Sequence, residues 1–383
     1  MNGGTMTARR CAAQRRLWLG DGTPGRTFHP FHVLRSKAEV LMTTGGWDQA
    51  AAILERNLSC TAGGAADELC AETCVRLARL LLNRGQYPEA LALCQRARGM
   101  FDRLGDRRGL KTALGTEGVV HWRLGRLEEA GRLFRDELDI AQSLDDQAGS
   151  STALNNLGNL YLDQRRYQDA SACYRQSREI DRALGDRHGL CIGAGNLGYL
   201  CYVQQQFDQA MDQYQRQLTM AVELGDRMVI GVVSTNIGNV LYMQGDYGQA
   251  MQQYDRSLAI ARALGDRRAE ALATCNIGMV LEDQGDPHGA AERYRDSLRL
   301  YGLIGDQPGK LAVLGYLITT LRAAGDRPGA LACCDRAAEI GTALGAAEQV
   351  AAARPGPGQV MRAPAGGDQG RGRGPPPPTS GRA

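Results

Sequence analysis

The chain has 383 residues, 49 of them Gly and only five Phe, with a formal charge of +3. Residues 1–30 and 351–383 each hold five Arg and one Asp, net +4 apiece, which leaves −5 for the stretch between them. An acidic body excludes a nucleic-acid backbone as the expected partner, because that contact needs a basic footprint, and the lack of an 18-residue apolar run excludes a membrane span.

The eleven Cys are an odd number and contain no Cys-x-x-Cys pair. Cys74, Cys94, Cys201 and Cys334 fall where sister segments place Leu, Tyr or Phe. Cys70 and Cys74 share a helix face, but no His or second Cys pair is spaced to complete a zinc site. Buried free thiols in a reducing cytoplasm are expected, with no metal and no cofactor. The Arg pairs of "MTARRCAAQRRLWLG" have no apolar run behind them, so no secretory signal is read there.

Taken in chain order, residues 1–30 are Arg- and Gly-rich without period and are expected to be irregular or disordered. From 31 to 350 a 40-residue period sets in, dividing the chain into eight units of about 31–70, 71–110, 111–150, 151–190, 191–230, 231–270, 271–310 and 311–350. Ala recurs at 50, 90, 130, 170, 210, 250, 290 and 330. Four residues later stand Leu54, Cys94, Phe134, Tyr174, Tyr214, Tyr254, Tyr294 and Cys334. Twelve residues before the Ala column runs a small-residue column: Ala38, Ala78, Gly118, Gly158, Gly198, Gly238 and Gly278.

These intervals mark apolar helix faces, so each unit reads as two amphipathic helices, for example about 150–164 and 167–184. Gly85, Gly125, Gly245, Gly285 and Gly325 end the first helix in a left-handed stop, and Asp246, Asp286 and Asp326 N-cap the second. The phrase Leu-Gly-Asp at 104–106, 184–186, 224–226 and 264–266 does the same between units, with Leu as the last core contact. The small column is expected to admit the Ala170-type position of a neighbouring helix. Unit 1 fits the pattern least well and is expected to cap the array. Residues 351–383 are Gly/Pro/Arg-rich and expected to be disordered, with Pro375–Pro378 able to favour polyproline II.

The pattern resembles the tetratricopeptide repeat. "LNNLGNLYLDQRRYQDASACY" carries the family's Leu-Gly-x-x-Tyr (Leu157, Gly158, Tyr161) and Ala-x3-aromatic (Ala170, Tyr174). The usual period is 34 residues with an early Trp and a late Pro. Here the period is 40, Leu154 stands for the Trp and the Pro is missing, as in the longer variant of kinesin light chain and the Pins-type G-protein-signalling modulators. The resemblance implies an all-α, right-handed α-α solenoid whose first helices line a concave surface.

Asn recurs two places before the Gly column, at Asn156, Asn196, Asn236 and Asn276, and one place after it, at Asn159 and Asn239. Asn is a mediocre helix former, and an amide both donates and accepts. Such a row can grip the main chain of a peptide, a role the resemblance also implies. It can equally bond to adjacent helices and align the units. Tyr199, Tyr202, Tyr242, Met243 and Met279 lie one turn along and suit either a partner contact or packing between helices. Arg76, Arg79 and Arg123 in units 2 and 3 stand apart from Glu282 and Asp283 in unit 7, which would direct an acidic ligand end toward units 2–3 unless these are ordinary solvated charges.

No catalytic site is expected. "GDQPGK" lacks the Ser/Thr and the preceding strand of a phosphate loop, the five His are scattered, and no Gly-x-Ser-x-Gly occurs. The sequence therefore reads as a cytoplasmic protein–protein adaptor that holds a peptide segment in its groove. The alternative is a sensor array controlling a separate effector such as an ATPase, a cyclase, a transcription regulator or a G-protein pathway. The oligomeric state is not specified by the sequence.

Overall fold

The computed structural model describes residues 37, 38, 41, 47–60, 67–83 and 86–343. Helix α1 (Trp47–Cys60) precedes seven antiparallel pairs: α2 (Asp67–Asn83) with α3 (Tyr87–Leu104), α4 (Arg107–Arg123) with α5 (Leu127–Ser143), and α6 (Gln147–Asp163) with α7 (Tyr167–Leu184). There follow α8 (Arg187–Val203) with α9 (Phe207–Glu223), α10 (Arg227–Met243) with α11 (Tyr247–Leu264), α12 (Arg267–Asp283) with α13 (Pro287–Leu303), and α14 (Gln307–Ala323) with α15 (Arg327–Ala343). The irregular ends expected at 1–30 and 351–383, the stop at Gly85 and the tract Pro375–Pro378 lie outside the described residues.

Turn chemistry sets these boundaries. Asp106, Asp146, Asp186, Asp226, Asp266 and Asp306 each accept a backbone N–H bond at 2.9–3.1 Å from the first turn of a first helix. Asp246, Asp286 and Asp326 do the same for second helices. Gly125, Gly245, Gly285 and Gly325 sit at φ 76–83° as left-handed stops. Arg165 and Gln205 take the same position in the next two units with φ 59° and 60°, a conformation that costs a side-chain-bearing residue roughly 1 kcal/mol.

The Leu of Leu-Gly-Asp is not the last core contact. Leu104, Leu184 and Leu224 are exposed, and the inward positions of the last turn belong to Phe101, Asp181 and Ala221. The left-handed Gly turns the chain one residue later, after the Leu has already rotated onto the outer face.

The core repeats one contact. A Cβ placed on Gly118, Gly198, Gly238 or Gly278 would lie 2.6–2.8 Å from the ring of Phe134, Tyr214, Tyr254 or Tyr294, and one on Gly158 would run into Tyr174. The small column therefore admits the aromatic ring of its own unit's second helix, not the neighbouring Ala170-type position. Each fully buried ring contributes about 2–3 kcal/mol of apolar burial, which outweighs the roughly 1 kcal/mol that Gly costs a helix. The volumes trade within the chain: Ala78 faces Cys94 on α3, while in the last pair Ile318 fills the space itself and Cys334 is left exposed.

Each helix packs on its neighbours in sequence, and successive first helices also touch one another from α2 through α12. Among the described residues the second helices make no comparable contact with each other. A row drawn together on one side and spread on the other must curve, with its first helices inside. The chain is thus an all-α solenoid.

Candidate functional site

First helices are enclosed by their own second helix, the preceding second helix and the first helices on either side, so most of their side chains face protein. The amides singled out in the sequence follow this rule. Asn196 donates Nδ2 to Asn155 Oδ1 at 3.0 Å, Asn276 donates to Asn239 Oδ1 at 3.4 Å, and Asn156 donates to Glu137 Oε2 at 3.3 Å. Asn159 and Asn239 each accept the hydroxyl of a buried ring at 2.8 Å, from Tyr174 and Tyr254. Asn236 is buried, and its Nδ2 finds no acceptor among the described residues. Asn196, Asn236, Asn239 and Asn276 are all buried, while Asn156 and Asn159 are half-buried. Asn156, Asn196 and Asn276 thus bond across to the preceding unit, while Asn159 and Asn239 hold the Tyr of their own unit.

Tyr199 and Tyr202 are buried and stack with ring centroids 6.3 Å apart, and Met279, two units further along at the repeat position of Tyr199, is buried too. Tyr242 is half-exposed, donates its hydroxyl to Asp283 and packs at a tilt on Tyr247, 5.6 Å between centroids. Met243 is also half-exposed. At the other end Arg76 and Arg79 are half-buried on α2, and Arg79 donates Nε to Thr116 Oγ1 at 3.4 Å. Arg123 lies 5.4 Å over the Trp122 ring, whose indole N–H donates to Asp163 at 2.6 Å. Glu282 accepts from Tyr294 at 2.9 Å and from Thr320 at 2.7 Å, and Asp283 is exposed. The two charged clusters stay at opposite ends of the array, on α2 and α4 against α12.

The sequence reading missed a second polar column. On the second helices run Ala97, Glu137, Ser177, Gln217, Ser257 and Ser297, and opposite them on the first helices run Val75, Gly115, Asn155, Gly195, Thr235 and Cys275. Glu137 and Gln217 face Gly, Ser177 faces Asn155, and the later pairs are of middling size on both sides. A Cβ on Gly115 or Gly195 would overlap the head group of Glu137 or Gln217. Asn155 donates to Ser177 at 2.7 Å, and Thr235 and Ser257 share a hydrogen bond of 2.8 Å. Both columns keep the 40-residue spacing, so the signal was present, but it lay in pairing rather than in repetition.

Burial governs the titration of this interior. It pushes the Glu137 carboxyl up to about 7, against the opposing pull of the Asn156 hydrogen bond, Lys111 and Arg79. Glu117 is also pushed up by burial, opposed by Arg98 at 3.2 Å, and burial holds His121 below the usual imidazole range. The thiols of Cys74 and Cys94 are pushed up to about 12 by burial, which marks them as inert. Among the described residues no three His, Cys, Asp or Glu gather as a metal site, and no helix is long and apolar enough to cross a membrane.

A coil of helix pairs joined through Gly–aromatic contacts is the architecture of a tetratricopeptide solenoid. The tetratricopeptide repeat model matches residues 67–143, 149–223 and 229–302, and the chain belongs to that family. No curated protein sequence matches it. Among solved structures it is similar to a Rap protein complexed with competence and sporulation factor, at 12% identity over 88% of this chain and 93% of that one, TM-score 0.67. It is also similar to the Rap conjugation gene regulator of plasmid pLS20 in complex with the Phr* peptide, at 16% identity over 80% and 86%, TM-score 0.59. A third is a signal transduction ATPase with a tetratricopeptide repeat sensor from Pyrococcus horikoshii, at 13% identity over 81% and 51%, TM-score 0.53. At these identities the likeness is one of fold, and no catalytic family is indicated.

Proposed function

We propose that this chain is an adaptor that holds an extended or short helical segment of another protein along its first helices. One observation carries the reading. Residues 147–162, 189–203 and 228–243 contain no Asp, Glu, Lys or Arg, yet they present Thr152, Asn159, Val203, Val232, Tyr242 and Met243 half-exposed. An uncharged lining on a surface already held rigid by its neighbours desolvates a bound segment without burying unpaired charge and with little ordering cost. The buried Tyr199, Tyr202 and Met279 support this lining from beneath. The amides at 156, 196 and 276 fix the pitch at which it is displayed, and Asn159 is the one best placed to reach a ligand.

The sensor reading is kept as the second, because one solved structure of like fold is a conjugation gene regulator in complex with a peptide and another is a Rap protein complexed with competence and sporulation factor. In that case the occupant is a signalling peptide and the effector a separate protein.

The test is capture of partners by the full chain carrying Val232→Glu and Met243→Glu, beside a control with Leu331→Glu on α15. Loss of the same bound proteins from the first variant, with retention by the control and unchanged circular dichroism melts, is expected. Retention by the first variant and loss from the control would move the contact to the outer face and overturn the reading.

A further inference from the structure

The unit 7 end of the groove holds two carboxylates with an unusual set of companions. Glu282 and Asp283 take hydrogen bonds from three neutral hydroxyls, those of Tyr294, Thr320 and Tyr242. Among the described residues neither makes an ion pair, so these bonds hold the carboxylates in place without cancelling their charge. A carboxylate has about four lone-pair sites, which leaves acceptor capacity on both. Glu282 is half-exposed and Asp283 exposed.

Aromatic rings close the other sides. Tyr242 and Tyr247 are half-exposed and meet at 51°, presenting an angled pair of faces beside Asp283. Tyr316 stacks on Tyr294 with centroids 5.6 Å apart at 18°. Burial, and after it neighbouring groups that include Tyr242 and Glu282, raise the Tyr316 phenol above its ordinary value, so its hydroxyl lies in the field of this end of the groove. That hydroxyl is buried, on a residue only 8% exposed, and has no hydrogen-bond partner. A buried polar atom left in this state marks a place where a donor or acceptor is still to come.

Two carboxylates, ring faces and an unfilled hydroxyl together suit a planar cation. A guanidinium spreads five N–H donors in one plane and stacks on aromatic faces. We infer that the Glu282–Asp283 end of the groove receives an arginine side chain carried by the bound partner segment. The inference rests on the groove reading above and gives the partner a chemistry: an uncharged stretch along α6 to α10, followed by Arg at α12. It also gives the bound segment a direction, with its acidic residues toward Arg79 and Arg123. Neighbouring helices lie about 8–10 Å apart and an extended chain covers about 3.3–3.6 Å per residue. A segment reaching from α4 to α12 therefore needs roughly twelve residues.

The probe is N-acetyl-arginine methylamide, titrated into the isotope-labelled full chain and followed by backbone amide NMR, with the isosteric neutral citrulline compound as its pair. Saturable shifts at 242–247, 282–283 and 316, about fivefold or more tighter for arginine than for citrulline, are expected. They disappear in Glu282→Gln/Asp283→Asn, whose amides keep the shape and one acceptor oxygen each while their NH2 groups can donate to a hydroxyl oxygen, and weaken in Asp283→Asn alone. Equal response to the two compounds would overturn the site.

A further arm identifies the source of the cation. In the full chain with Arg354, Arg362, Arg371, Arg373 and Arg382 all changed to Gln, unchanged probe affinity supports a partner as the occupant. Tighter probe binding would show the chain's own C-terminal segment competing there and would overturn that assignment. The probe is titrated into the chain with Val232 and Met243 unchanged, so its binding is read without the groove variants. Failure of the groove reading and failure of the arginine site are therefore seen separately.

Discussion

Beside Gly115 on α4 the facing second helix inserts Glu137; eighty residues later, beside Gly195 on α8, it inserts Gln217. Asn156 arrives from the next first helix in one, and Asn236 holds the same repeat position for the other. The shapes match and the chemistry does not. Glu137 accepts from Asn156, whereas Gln217 Oε1 and Asn236 Nδ2 are both buried without a partner. The pair between them, Asn155 with Ser177, solves the same packing problem with the large residue on the first helix. Packing volume is thus the conserved quantity along the array, and the polar groups that fill it vary with little constraint. A row of identical residues in the sequence says where volume is needed before it says what the residues bind.

The largest effect should come from breaking that volume match. Gly195→Asn places a side chain on Gln217 and is expected to cost about 3 kcal/mol in urea unfolding. Adding Gln217→Ser rebuilds the Asn155–Ser177 arrangement and should recover roughly 2 kcal/mol of it. A double variant no more stable than the single would show that the columns are not coupled.

Next in size is the charge difference between the two corners. The Glu137 carboxyl stands near 7 in the folded state against an ordinary 4.5, so the folded chain retains a proton that the unfolded chain has lost. Stability at this site is intact below about pH 4.5 and falls as the pH rises through 7. From pH 5 to pH 8 the wild type is expected to lose about 2–3 kcal/mol more than Glu137→Gln. At pH 8, Asn156→Leu should cost about 1–2 kcal/mol by removing a donor from that carboxylate. Asn236→Leu, which removes a donor that bonds to nothing, should be close to neutral. Equal costs would erase the distinction between the corners.

The smallest effect lies at the turns within units 4 and 5. Arg165→Gly and Gln205→Gly relieve left-handed conformations that other units assign to Gly. Each is expected to raise stability by about 1 kcal/mol, read as a higher melting temperature.

Much of the fold was legible because its determinants recur at a fixed period. The Asp caps, the left-handed Gly stops and the Gly–aromatic column each repeat five or more times, and each has a local physical cause. The orientation of the Asn side chains was not legible. Asn156 and Asn159 are neighbours on one helix, yet one reaches back to α5 and the other forward to the Tyr174 hydroxyl. In a helix enclosed on most sides, a shift of 100° decides between groove and interior, and a 40-residue spacing carries no information about that angle. The exposed Leu104, Leu184 and Leu224 were misplaced for the same reason. The acidic end at Glu282 and Asp283 was visible as charge, but its ring of Tyr residues comes from four different helices and appears only when the chain is coiled.

The indole of Trp122 is tied to Asp163 of the following unit, so its fluorescence reads the distance between two turns of the coil. Stretching the array on loading, or tightening it, would act on that link before any helix melts. With Trp18 and Trp47 replaced by Phe, emission from this ring would then serve as a built-in strain gauge, shifting to the red as the link opens and water reaches the indole.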